Sequence, residues 1–170
     1  MNKTIQNIVS RVSCRSYSEK KVPLSKVNQI VEAGVMAPSG MNRQICNILV
    51  VRNKAKVEKI RKAAIKNFNR DPFYGANTLC IVYGLKDQPL LVQDASCILE
   101  NMFIAATSLG IDSCWINCLK DMFPNPETKL ANELGLTEEY YVVGTCILGY
   151  KKEGTEIQVK PRKDDFVRYL

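Results

Sequence analysis

Residues 90–116 read LLVQDASCILENMFIAATSLGIDSCWI. Ala95, Ile98, Leu99, Met102, Phe103 and Ala106 recur at three- and four-residue intervals. They therefore form one apolar face of a helix running from about Leu90 to Leu109. Gly110 follows the last periodic residue, where a left-handed cap ends a helix without a Cβ penalty. Ser113 to Ile116 then reads as a brief strand. A long amphipathic helix feeding a short strand is the scaffold around which the remaining segments are placed.

Upstream, Thr4 is placed to cap a helix carrying Ile5, Ile8, Val9 and Val12 on one face. Ser13 to Val22 is polar and reads as a loop. Ser25 is placed to cap a second helix with Val27, Ile30, Val31 and Val35, stopped before Pro38. Asn47 to Val51 and Thr78 to Gly84 are apolar and rich in β-branched residues, as strands are. Between them Lys54 to Phe68 is an amphipathic helix with Val57, Ile60, Ala64 and Phe68 inward, followed by a turn-rich stretch to Gly75. Downstream, Pro126 to Leu134 reads as a short helix ended by Gly135, and Tyr140 to Leu148 as a strong strand. Helices outnumber strands and do not alternate with them one for one. The pattern predicts an α+β domain spanning 1–170 rather than a doubly wound sheet.

Composition narrows the chemistry. The chain has 170 residues, 46% of them hydrophobic and 24% charged, which suits a single globular domain. No apolar run is long enough for a membrane span, and the first residues lack the apolar core of a signal peptide, so the expected location is cytoplasmic. The chain contains no histidine, which removes Ser-His and Cys-His nucleophile pairs and imidazole metal ligands. The seven cysteines are an odd number, and Cys80, Cys97 and Cys146 stand among apolar neighbours; they read as reduced, buried thiols. Cys114 and Cys118 lie four positions apart, but no second pair is near them, so no metal site is expected. No G-x-G-x-x-G follows a strand and no Walker loop is present. The net charge of +7 fits a solvated basic surface, an anionic ligand or a nucleic acid.

Three clusters carry candidate chemistry. Arg11, Ser13 and Arg15 follow the first helix at two-residue spacing, which in extended backbone aims them to one side. Arginine forks match phosphate oxygens. Ala37-Pro38-Ser39-Gly40-Met41-Asn42-Arg43-Gln44 is a tight loop whose Asn42 and Gln44 offer amide donors and acceptors to a heterocycle edge. Lys160-Pro161-Arg162-Lys163 is a second basic run near the C-terminus. Each also has a plain reading as solvated surface or connector.

The order R-x-S-x-R-x-Y, A-P-S-x-x-N-x-Q, then K-x-R resembles the FMN-dependent nitroreductase-like family, in its short form. The stretch from Asp94 and Asn101 through Gly110 to Cys114-Trp115-Ile116 resembles that family's long helix and following strand. The resemblance implies a mixed β-sheet flanked by helices and a homodimer with shared flavin sites. It further implies that Arg11 and Ser13, with Val12 between them, bind the FMN phosphate and ribityl chain together with Lys160 and Arg162. Arg15 would stand by the flavin pyrimidine edge. Pro38, Ser39 and Asn42 would reach the ring from the partner subunit, and Trp115, Ile116, Asn117 and Cys118 would lie near N5. On this reading no protein residue is catalytic. NADH or NADPH reduces the flavin, which passes electrons to a small acceptor such as a nitroaromatic or quinone in a ping-pong cycle. Two departures concern the substrate pocket: Ile45-Cys46 replaces the Pro-Trp common after the loop glutamine, and the long insertion of larger members is missing. Dehalogenation, enone reduction and flavin handling remain open within the same fold. A basic nucleic-acid-binding domain is the rival class, though no known nucleic-acid motif is found.

Overall fold

The computed structural model describes residues 1–123, 129–157, 159 and 161–170. Its centre is a strand pair buried on both faces. In β2 (Thr78–Leu85) Leu79 and Ile81 point to one side of the sheet, and Cys80 and Val82 to the other. In β4 (Tyr140–Gly149) Ile147 joins the first side, and Cys146 and Leu148 the second. Burial on both faces explains why these strands read as unbroken apolar runs. They pair with each other, β1 (Cys46–Val51) flanks β2, and β3 (Asp112–Ile116) flanks β4, giving the order β1-β2-β4-β3.

Helices close both faces. The first is covered by α3 (Lys54–Phe68) through Val57, Ile60 and Ala64. The second is covered by α2 (Leu24–Val35) and α4 (Leu91–Ser108), with Val27, Ile30, Ala95, Leu99, Met102 and Ala106 buried. The two helices approach closely at Gly34, where a Cβ would stand 2.7 Å from Met102 Cγ. Asn101 Nδ2 fastens the crossing by donating to Ala33 O at 3.0 Å. Gly110, at φ +66°, ends α4 as expected: its own N–H reaches Thr107 O and that of Ile111 reaches Ala106 O.

The α+β class stands, and the parallel component of the expected mixed sheet is small. Among the described residues all three ladders are antiparallel, and the parallel element is a single bridge from Ser13 to Ser113. Other local expectations change. In α1 (Lys3–Ser10) the cap is Asn2, whose Oδ1 accepts from Ile5 N at 3.0 Å, so Thr4 lies inside the helix. Pro23, not Ser25, precedes α2, whose chain turns in without a side-chain cap. The apolar face of α1 is not buried by this chain: Ile5, Ile8 and Val9 are 44%, 43% and 68% exposed. Cys97 is exposed because apolar sequence neighbours do not determine which way a helical side chain faces. The polar segment 13–22 is anchored rather than loose, with Cys14, Tyr17 and Val22 buried. The final described helix, α5, is Lys129–Leu134; the expected start at Pro126 lies outside the described residues.

Candidate functional site

The α4–β3 unit is the ruler on which the candidate residues are arranged. Arg11 leaves α1 with its N–H on Asn7 O at 3.1 Å, and its Nε lies 3.9 Å from Glu100 Oε1 on α4. The chain then runs beside β3, where Cys14 N donates to Ser113 O at 2.9 Å. Cys14 turns into the core while Arg15 is exposed and Arg11 and Ser13 are half-buried. With Cys14 inward, Ser13 and Arg15 lie to its other side, while Arg11 and Val12 are alike half-buried. The Cys114 thiol senses the whole strip: burial raises it, and Arg15, a hydrogen bond with Ser13, and Arg11 each pull it back. Arg11, Ser13 and Arg15 therefore converge on one short stretch of β3.

The other end of β3 carries Trp115 and Ile116, followed by Asn117 and Cys118. Trp115 is 36% exposed and tilts against Phe103 of α4, ring centroids 6.2 Å apart. It lies flat over β4 because position 144 is glycine: a Cβ there would come within 2.8 Å of Trp115 Nε1 and Cε2. Isolated glycine in a strand signals such close approach. Ile116 is buried, Asn117 exposed, and Cys118 half-buried with its thiol pushed up by burial. Both Cys114 and Cys118 are thus held in the thiol form at neutral pH, which suits binding rather than nucleophilic chemistry.

The loop after α2 is built by local hydrogen bonds and one distant one. Ser39 Oγ accepts from Gln44 N at 3.0 Å, and Asn42 Oδ1 accepts from Gln44 Nε2 at 3.1 Å. Met41, Asn42 and Gln44 all have φ near +50°, an uncommon state for residues with a Cβ. The distant bond holds this shape: Gly40 N donates to Asp94 Oδ1 at 3.0 Å. Asp94 is 5% exposed, and its Oδ2 has no partner among the described residues. Pro38 and Asn42 stay exposed and Ser39 half-buried. Asp94 and Glu100 are six residues apart, about 9 Å along α4 at 1.5 Å per residue. One helix therefore sets the spacing between the arginine strip and the loop.

Among the described residues, no hydrogen bond or ion pair joins the third cluster to the other two. Arg162 is exposed, with no hydrogen bond or ion pair to Arg11 or Ser13 among the described residues, and Lys160 lies outside them. Three positions that matter were not singled out for these roles. Asp94 interrupts the apolar face of α4 with a carboxylate, which is a readable signal. Gly144 interrupts an apolar strand, which is another. Glu100 is an ordinary surface residue of a helix and gives none.

Comparison with known proteins decides the family. The model of the nitroreductase family matches residues 8–73 and 64–150. The chain belongs to the nitroreductase family. It is similar to an inferred NADH dehydrogenase/NAD(P)H nitroreductase of Archaeoglobus fulgidus, 30% identical over 90% of this chain and 88% of the relative. Among solved structures it resembles an FMN-bound nitroreductase from Bacteroides fragilis, with 35% identity, TM-score 0.93 and full coverage of both chains. An FMN-bound nitroreductase from Desulfitobacterium hafniense matches with 26% identity and TM-score 0.89, over 100% of this chain and 99% of the other. Among the described residues no helix is long and apolar enough to cross a membrane.

Proposed function

We propose that this nitroreductase-family chain binds FMN and works as an NAD(P)H-dependent oxidoreductase on a small organic acceptor. The observation that carries the reading is the convergence of Arg11, Ser13 and Arg15 beside an exposed Trp115. Cationic forks suited to a phosphate and an anionic ring edge act on Cys114, the residue before this exposed aromatic. The residues present fit the cofactor: Arg15 is an exposed cation in no ion pair among the described residues, and the 39–44 loop offers amide groups in a preset shape. FMN, when bound, supplies the redox chemistry, accepting a hydride from the nicotinamide and returning electrons to the acceptor.

The protein's own groups bind, orient and tune. Arg11, Val12 and Ser13 form the phosphate and ribityl strip, with Lys160 and Arg162 supplying further positive charge from the tail. Arg15 stabilises negative charge at the pyrimidine edge. Pro38, Ser39 and Asn42 approach the ring from the second subunit of a homodimer, and Trp115, Ile116, Asn117 and Cys118 line its edge. No side chain is asked to act as nucleophile or proton donor, in keeping with a chain without histidine. The nicotinamide and the acceptor use the same pocket in turn, which gives ping-pong kinetics, in the cytoplasm and without nucleic acid. The test is direct. The purified chain should show oxidised-flavin absorbance, bleach on adding NADH or NADPH, and recover colour with a nitroaromatic or quinone. Steady-state velocities should give parallel double-reciprocal lines. A colourless protein that does not take up FMN would refute the proposal.

A further inference from the structure

A cavity of about 780 Å³ lies at the N-terminal end of α3, and none of its lining residues is among those assigned to the flavin. It is bounded by the 17–21 segment, the β1–α3 junction, the start of α3, the Gly75–Asn77 turn and Lys152. Its volume falls within the range of small-molecule sites. Its lining is cationic: Lys21, Arg52, Lys54, Arg61 and Lys152 face only two carboxylates, Glu19 and Glu58.

These cations are not equivalent. Arg61 is neutralised locally, with Nη1 on Glu58 at 2.9 Å, Nε 3.3 Å from Asp71 Oδ2, and Nη2 donating to Ala76 O at 2.6 Å. Arg52 is different. Its Nη2 donates to Val22 O, its Nε is buried without a hydrogen-bond partner, and no carboxylate among the described residues pairs with it. A half-buried guanidinium with an unmet donor at the wall of a cavity calls for an acceptor. The helix beginning beside it adds to the same field. Asn53 Oδ1 caps Lys56 N, and Val57 N is bonded to Asn53 O, which leaves the Lys54 and Ala55 N–H groups without a partner among the described residues. Lys21, Lys54 and Lys152 are exposed, so the cation count at the mouth exceeds what Glu19 offsets.

We propose that this cavity is a second, flavin-independent anion site that takes a small organic phosphate. The phosphate is held by Arg52, Lys21, Lys54 and the first amides of α3; the organic part rests against Val57 and the Gly75–Asn77 turn. Convergence of a buried unmet donor, exposed lysines and a helix N-terminus is the chemistry of phosphate recognition. The site stands whether or not the FMN assignment does, because the two share no residue.

The test uses FMN-saturated protein in a phosphate-free buffer, with inorganic phosphate as the probe and amide NMR shifts as the readout. Saturable, millimolar shifts should appear at residues 54–55 and 75–77. In the Lys21→Gln/Lys54→Gln variant the phosphate affinity should fall at least tenfold. Flavin absorbance and NAD(P)H oxidation should stay unchanged, since both lysines are exposed and outside the flavin strip. No saturable shift in the wild type, shifts confined to residues 11–15, or equal affinity in the variant would each overturn the proposal.

Discussion

Replacing Asp94 with alanine should loosen the 38–44 loop far more than the fold. Asp94 Oδ1 takes the Gly40 N–H at 3.0 Å, and hydrogen bonds to charged acceptors contribute about 1.5–3 kcal/mol. Against this stands Oδ2, buried without a partner among the described residues, whose desolvation works against the native state. The two effects oppose each other, so Asp94→Ala should lose about 1–2 kcal/mol, less than the hydrogen bond alone contributes. Asp94→Asn keeps an acceptor for Gly40 N–H and removes the unmet charge but leaves a buried Nδ2 without an acceptor among the described residues, so it should lose less than the alanine variant, by about 1 kcal/mol. Urea unfolding of the flavin-free protein measures both, with an unchanged slope showing that the native state is intact. The loop carries a second consequence. Met41, Asn42 and Gln44 hold φ near +50°, a conformation costing about 1–3 kcal/mol each that persists only while its surroundings enforce it. Without the Asp94 tie, FMN must order the loop as it binds, and affinity should drop about tenfold, or 1.4 kcal/mol. Asparagine should restore it. Equal behaviour of the alanine and asparagine variants would show that the bond to Gly40 does not set the loop.

Three further outcomes follow from the same geometry. Arg11→Ala should weaken FMN by about 1.5–3 kcal/mol in a fluorescence titration, whereas Glu100→Gln, which frees Arg11 from a partly exposed pair at 3.9 Å, should tighten it by no more than about 1 kcal/mol. Replacing Lys160 and Arg162 with alanine should reduce affinity for FMN much more than for riboflavin, because only FMN carries the phosphate dianion; equal losses would mean the tail acts through folding. Alkaline stability should follow the thiols: burial lifts Cys46 from 9.0 to about 11 and Cys80 to about 12. Both are protonated in either state below pH 9, where their contribution is complete. As pH rises above 9 the unfolded chain ionises first, so stability falls toward pH 11–12, and Cys80→Ala should flatten that decline in a series of melting curves.

Some elements were legible because their signals are local. The span of α3 was readable to the residue: Asn53 caps its start through Lys56 N at 3.1 Å, and Asn69 ends it at φ +54°. The start of α2 was not, since Ser25 competes with Pro23, whose fixed φ of −55° already enters the helix. In the arginine strip, Ser13 and Arg15 were readable from two-residue spacing, because extended backbone makes alternation visible. The Asp94–Gly40 bond spans 54 positions and the Arg11–Glu100 pair spans 89, and no periodicity reports such distances. The cavity at α3 draws on four separate segments, so it exists only after folding. Gly144 shows the intermediate case: a lone glycine in an apolar strand is a readable signal of close approach, but only the structure shows that Trp115 fills it.

The first helix poses the remaining physical question, and its answer is a prediction. Ile5, Ile8 and Val9 share one face at the spacing of a core helix, yet they stand 44%, 43% and 68% exposed. Periodicity reports that a face is apolar; it does not report which chain covers it. A helix of eight residues is marginal alone in water, so α1 needs packing that this chain supplies only in part. Met36 and Met41 are also exposed, as are Phe166, Val167, Tyr169 and Leu170 in the tail. A second copy of the chain, as in the homodimer proposed above, would cover such surface if α1 lies in the contact. Arg11 lies directly after α1, so the dimer contact and the phosphate strip would be mechanically joined. Ile5→Asp with Val9→Asp should therefore do two things at once. Each substitution puts a charge where an apolar side chain would bury, forfeiting on the order of 1–3 kcal/mol, and light scattering should report a monomer. FMN affinity should fall with dimerisation, although neither residue is assigned to the cofactor. A variant that stays dimeric would place α1 outside the interface. A monomer that holds FMN as tightly as the parent would separate the flavin strip from the dimer and refute the shared site.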